Sequence, residues 1–223
     1  LSEEAYQTTI TFPHLVYGGN ETTATLMTGV TPDRHGYTMD AYYSRRDRKV
    51  YTMLEDKEIP GIGTSLCLSP KALLSPTISD RMRLLHPKAK IYAIGIQPET
   101  TILLAGHTAN ACCWIDNNSK QWVTTTAYRE GLPGAAYEQN KKNRITTLAE
   151  QQWTPRIDIH AYNHPTPQEK KKPFAYNVGN ILPHAPQANK LIIELGLDLQ
   201  SSEHLGVDNH PDLLFLQLNS LTP

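Results

Sequence analysis

The residues with the most obvious capacity for chemistry are histidines, nine in a chain of 223. The densest group is Asp158-Ile159-His160-Ala161-Tyr162-Asn163-His164. On a helix, His160 and His164 would share one face, as a zinc-binding pair does. Pro155 and Pro165 flank the segment and no Glu follows His160, so a surface or cap role stands beside the metal reading. The three cysteines, Cys67, Cys112 and Cys113, show no CxxC spacing and form no disulfide framework. Cys112 has no basic neighbour in sequence to lower its pKa, and the adjacent pair reads as small buried hydrophobes. There is no G-x-S-x-G elbow and no phosphate loop of the G-x-x-x-x-G-K-[ST] kind. The basic run Lys170-Lys171-Lys172 reads as a solvated loop, with a phosphate-binding patch as the alternative.

Charge and composition narrow the classes that such residues could serve. Lys and Arg total 21 against 22 Asp and Glu, a net charge of −1, so nothing calls for nucleic acid. Hydrophobic residues make up 39%, enough for a sizeable core, and no apolar run is long enough to span a membrane. The chain opens on Leu1-Ser2-Glu3-Glu4, without the charged region of a signal peptide.

The elements that must position any site alternate between strand and helix. Thr8 to Phe12 reads as a short strand. Tyr17-Gly18-Gly19-Asn20 is a turn, followed by a helix with Asn20 as N-cap, Glu21 in its first turn and Gly29 at its end. Tyr37 to Tyr51 reads as a hairpin or extended loop and Ser79 to Leu85 as a helix. Ile91 to Ile96 is a β-branched apolar run typical of a buried strand, and Thr101 to Ala105 is a second short apolar run. Gln121 to Thr125 alternates like a strand, and Asn189 to Leu199 has helical apolar spacing. Asp212 to Leu218 reads as a last buried strand. The alternation predicts a layered α/β fold with a largely parallel sheet. Residues 1–223 are expected to form one core, with an irregular, Pro-rich cap segment over 131–187.

Four stretches, in order, resemble the type I phosphodiesterase and nucleotide pyrophosphatase branch of the alkaline phosphatase superfamily, its PafA-like members in particular. Leu26-Met27-Thr28-Gly29-Val30-Thr31-Pro32-Asp33-Arg34-His35-Gly36 is similar to that branch's L-x-TG-x-x-P-x-x-HG. Ser69 to Asp80 is similar to SPKxLLxxTIxD. Leu104 to Ala111, with Trp114 and Asp116, resembles PAGHxANAxxWxD. Pro173-Phe174, the 189–199 helix and Pro211-Asp212-Leu213-Leu214 follow the family's order toward its second metal-site strand. The resemblance implies a three-layer α/β/α sandwich of the alkaline-phosphatase type and a metal-dependent phosphate-ester hydrolase. In such enzymes a Thr or Ser at a helix tip attacks phosphorus beside two zinc ions. It also implies a periplasmic or extracellular location.

Where the family holds its reacting groups, this chain departs. The nucleophile, nine residues before the Thr of the TG pair, falls at Gly19. Asn20 beside it is no nucleophile, and Thr22 or Thr23 could serve only with a shift of register. The Lys and Arg that hold phosphate correspond to Gln97 and Glu99, and an acid there repels a phosphoryl oxygen. Asn110, in the third stretch, is the remaining candidate for substrate binding. His35 and His107 match motif positions but are expected to shape loops by hydrogen bonding. No residue here is read as a metal ligand, and the family's flanking Asp and His ligands are not found within these residues; the chain is read either as a piece of a longer enzyme, incomplete at both ends, or as one that has lost that chemistry. The expectation is thus a weak or inactive hydrolase-like domain, or a non-catalytic binding or assembly module that keeps the scaffold. Its partners would be a phosphate-ester small molecule if active, a second copy, or a chain segment that completes the fold.

Overall fold

The computed structural model describes residues 9, 11–12, 19–153, 176–180 and 182–219. The His160–His164 group, the lysine run, Pro173-Phe174 and most of the expected 8–12 strand lie outside the described residues.

The chain begins with α1 (Asn20–Thr28) and α2 (Pro32–His35), then a hairpin of β1 (Ala41–Ser44) and β2 (Lys49–Thr52). There follow β3 (Gly61–Ile62), α3 (Ile78–Leu85), β4 (Ile91–Gly95), α4 (Pro98–Ala105), β5 (Ala111–Asp116) and β6 (Gln121–Thr125). Then come α5 (Gly134–Lys141), α6 (Arg144–Ala149), β7 (Gln152–Trp153), β8 (Tyr176–Asn177), α7 (Pro186–Ser202) and β9 (Leu213–Leu216). No helix among the described residues is long and apolar enough to cross a membrane.

The central sheet has the order β3-β6-β5-β4-β9. Strands β5, β4 and β9 run parallel, β6 adds antiparallel to β5, and β3 pairs antiparallel with β6. The continuous apolar runs of β4 and β5 are buried along their whole length, as strands covered on both faces must be. Their side chains alternate between two cores. Tyr92, Ile94, Cys113 and Ile115 pack with α5, α6 and α7. Ile91, Ala93, Cys112 and Trp114 pack with Ala24 of α1 and Ile102 and Leu103 of α4. This is the layered α/β fold that the alternation predicts and the α/β/α sandwich that the resemblance implies. Cys112 and Cys113 lie inside it, and burial pushes the Cys113 thiol up to about 12.

Several expectations change in detail. The apolar run at 101–105 belongs to α4, because Pro98 supplies a first helical residue that needs no N–H partner. Within the Pro-rich segment lie the helices α5 and α6 and the short strands β7 and β8. Ala136 of α5 and Ile145 of α6 enter the core, and the Asn140 amide bonds both the N–H and C=O of Trp122 at 2.8 Å. Helix α7 runs from Pro186 to Ser202, longer than its apolar spacing indicates. β9 forms as expected, but at the sheet edge, with all four residues partly exposed.

Candidate functional site

The N-termini of α1 and α4 meet beyond the C-terminal end of β4. α4 starts directly after that strand, and Thr100 in its first turn donates to Asn20 Oδ1 at 2.5 Å. Two helix N-termini placed together make a positive, N–H-rich spot suited to an anion. Here the protein supplies its own. Asp40 Oδ1 accepts from Asn20 Nδ2 at 2.8 Å and from the Tyr37 hydroxyl at 2.7 Å. Glu21 and Glu99 are the acids of the first turns of α1 and α4. Burial, then the neighbouring charge of Asp40, raises the Glu99 pKa. Burial raises the Tyr37 hydroxyl too, followed by the bond to Asp40 and the charges of Asp40, Glu99 and Glu21. The spot is an acid-lined one.

Gly19 sits at the tip of α1 as its N-cap, with φ 72° and ψ −120°. Only glycine takes that conformation without strain. Asn20 is the first helical residue rather than the N-cap, and its side chain reaches across to Asp40 and Thr100 instead of bonding back to its own helix. Thr22 is two residues further in, and its hydroxyl is buried without a hydrogen-bond partner. A nucleophile needs a base or a metal beside it, and neither threonine position offers one among the described residues. Thr23 donates to the Gly19 carbonyl at 3.3 Å. Gly19→Thr is expected to lower the unfolding free energy by about 1 kcal/mol and to bring no hydrolysis. Urea denaturation and an ester assay check the two halves, and unchanged stability would refute the strain.

Gln97 caps α4 and is held by Gln217, which follows β9. The Gln217 Oε1 accepts from the N–H of Ile96 at 3.1 Å and of Gln97 at 3.0 Å. The structure therefore brings Gly19, Asn20, Gln97 and Glu99 to one place. Asn110 is elsewhere, at the opposite end of the sheet. It accepts from the Ile91 N–H at 2.8 Å and from Arg83, and it fixes the starts of β4 and β5. Sequence reasoning missed Asp40, which no local motif marks because its partner Asn20 is twenty residues away.

The two motif histidines shape loops. His35 Nδ1 accepts from the Tyr37 N–H at 3.1 Å, and its other nitrogen meets the Thr25 hydroxyl. His107 bridges Asp80, at 2.8 Å, and the Leu73 carbonyl, at 2.9 Å. Asp80 also completes a capping box with Thr77 at the start of α3.

Two zinc ions, as the resemblance implies, do not fit the donors present. Gly19 offers no side-chain oxygen, Asp40 Oδ1 is already taken by Asn20 and Tyr37, and among the described residues no histidine groups with the acids at the helix tips. Among the described residues no three His, Cys, Asp or Glu side chains group to hold a metal.

No family profile matches the chain. Curated relatives do. The chain is 26% identical over 219 residues to alkaline phosphatase PhoV of Synechococcus elongatus, a match covering 88% of this chain. It is 28% identical to a calcium-transporting ATPase of Myroides odoratus over 88% of its length. It is 24% identical to alkaline phosphatase PafA of Elizabethkingia meningoseptica over 87%. It spans 40% of the length of each of these relatives. The crystal structure of wild-type PafA superposes with a TM-score of 0.77 at 22% identity, covering 90% of this chain and 43% of PafA. Sequence likeness and a common fold thus support one superfamily for this chain, that of the alkaline phosphatases.

Proposed function

We propose that this chain is a divergent, phosphohydrolase-like domain of the PafA-like branch that does not transfer phosphoryl groups at its α1 tip, and that it acts as a binding or assembly module on the retained scaffold. Asp40 carries the reading. It lies between Asn20 and Tyr37, where the helix N-termini would otherwise receive a phosphate. A second anion there meets Asp40 and Glu99 at close range, and like charges at about 4 Å in a partly buried setting repel by roughly 4 kcal/mol. Gly19 has no side-chain oxygen to attack phosphorus, and Gln97 and Glu99 supply no cation to steady a transition state.

The names of the phosphatase relatives favour a second reading, metal-dependent hydrolysis of phosphate esters by the protein to which this region belongs. The location implied by the resemblance, periplasmic or extracellular, belongs to the same proposal. One assay separates the two readings. The full chain, incubated with zinc, is offered nitrophenyl phosphate and bis-nitrophenyl phosphate. The expected release of nitrophenol equals that of zinc alone. A protein- and zinc-dependent rate that the Asp40→Asn variant changes would overturn the non-catalytic reading.

A further inference from the structure

Three carboxylates gather where α1 and α4 begin, and the Tyr37 hydroxyl marks their common point. It donates to Asp40 at 2.7 Å. Burial, that bond, and then the charges of Asp40, Glu99 and Glu21 push its ionisation up. Glu21 and Glu99 come from the first turns of α1 and α4, and Asp40 from the residues just before β1.

An acid in a first turn is ordinary, because it meets the free N–H groups there. Glu99 follows that pattern and accepts from its own backbone N–H. Glu21 does not. The residue is only 7% exposed, and its Oε1 is buried with no hydrogen-bond partner. A buried carboxylate oxygen without a donor is costly and calls for an explanation. Among the described residues, no Lys, Arg or His forms an ion pair with Glu21, Asp40 or Glu99.

Counting charges shows what this spot lacks. Each helix N-terminus supplies about half a positive charge, so the ionised carboxylates outweigh the two dipoles by about two negative charges. Gly19 and Asp40 are exposed, which leaves a way in from solvent to the sunken Glu21. Among the described residues the acids do not group tightly enough to hold a metal ion. A cation whose N–H donors are spread over several bonds suits them, because each N–H to a carboxylate makes a charge-assisted hydrogen bond.

We propose that the tip of α1 and α4 binds a small organic diammonium ion, an alkyl diamine whose N–H groups Glu21, Asp40 and Glu99 accept. The ligand gives Glu21 Oε1 the donor it lacks and cancels the residual charge. The inference rests on the reading of this tip as acid-lined and non-hydrolytic, and it names what such a module binds.

Isothermal titration of the full chain with putrescine, at mildly alkaline pH and low salt, tests it. Saturable binding is expected, with a Kd below about 1 mM. Glu21→Gln and Asp40→Asn keep the shape and remove a charge, and each is expected to weaken binding about tenfold or more, the worth of a hydrogen bond to a charged group. The fully N-methylated analogue, which carries the charges without an N–H, is expected to lose as much. Glu138→Gln, an exposed acid of α5 on the other face of the sheet, is expected to change nothing. Absence of putrescine binding overturns the proposal. So does binding that both tip variants, folded by circular dichroism, leave unchanged, or that the methylated analogue matches. A parallel nitrophenyl phosphate assay with zinc separates this inference from the reading beneath it. No binding and no turnover removes the diammonium site alone, whereas zinc-dependent turnover removes both.

Discussion

Asp80→Ala is expected to lower the unfolding free energy by about 3 kcal/mol or more, the cost of stripping one member from a buried, hydrogen-bonded charge pair. The Asp80 side chain is 10% exposed. One oxygen accepts from the His107 backbone N–H at 2.8 Å and the Thr108 hydroxyl at 3.0 Å. The other accepts from the Thr77 N–H and His107 Nδ1, both at 2.8 Å, and from the Thr77 hydroxyl. Removing the carboxylate leaves these donors unsatisfied and also takes the cap from α3. Gly106 lets the turn approach this closely. It has φ +65°, and a Cβ there would sit 2.1 Å from the Thr77 hydroxyl oxygen.

The pair also fixes a pH window. Burial pushes the Asp80 pKa up, but the bonds from His107 and Thr77 outweigh it and hold the carboxyl well below its usual range. Its stabilisation is full above the unfolded value of about 3.9 and is lost as pH falls toward the folded value. His107 is raised, first by its bond to Asp80. Its share is full below the unfolded value of about 6.5 and is lost as pH rises through the folded value. Urea midpoints from pH 3 to 9 should show a plateau between those limits that Asp80→Ala flattens. A loss under about 1 kcal/mol, the worth of a single net hydrogen bond, would mean that the hub is ornamental.

Exchanging Asp40 for Asn and Glu99 for Arg together is expected to raise affinity for inorganic phosphate at least tenfold, about 1.4 kcal/mol. Asp40→Asn removes a charge while leaving an oxygen for Asn20 and Tyr37. Glu99→Arg replaces a repelling carboxylate with a planar donor matched to phosphate. Both changes act where α1 and α4 present their N-termini, so the dipoles then work for the ligand. Isothermal titration with phosphate reads the gain directly. An unchanged, undetectable affinity in the double variant would show that the acids are not what excludes phosphate.

The fold was legible in the sequence because the four motif stretches turn out to be scaffolding. Gly29 and Gly36 close α1 and α2 in the left-handed conformation, and Pro32 starts α2. Ser69 caps a short turn, Thr77 and Asp80 build the capping box, and His107 ties one stretch to another. Asp212 anchors the start of β4. At each of these positions the local geometry uses the residue that stands there. The site was legible only as departures, at Gly19, Gln97 and Glu99. The replacement at its centre, Asp40, was not, since its contacts follow from how loops meet in space. Asn110 shows the converse, a motif polar residue whose bonds are spent inside the frame.

The placement of the three thiols has a practical consequence for following this protein in solution. Cys112 and Cys113 are sealed between the two cores with their ionisation pushed far up, while Cys67 is partly exposed on a loop. A thiol reagent at neutral pH meets only Cys67 in the native chain, because thiolate is the reactive form. Labelling of the adjacent pair then measures how often the sheet itself opens, with Cys67 as the internal reference for reagent strength. The unfolding losses expected for Asp80 and Gly19 variants can thus be followed by mass alone, at native pH and without denaturant.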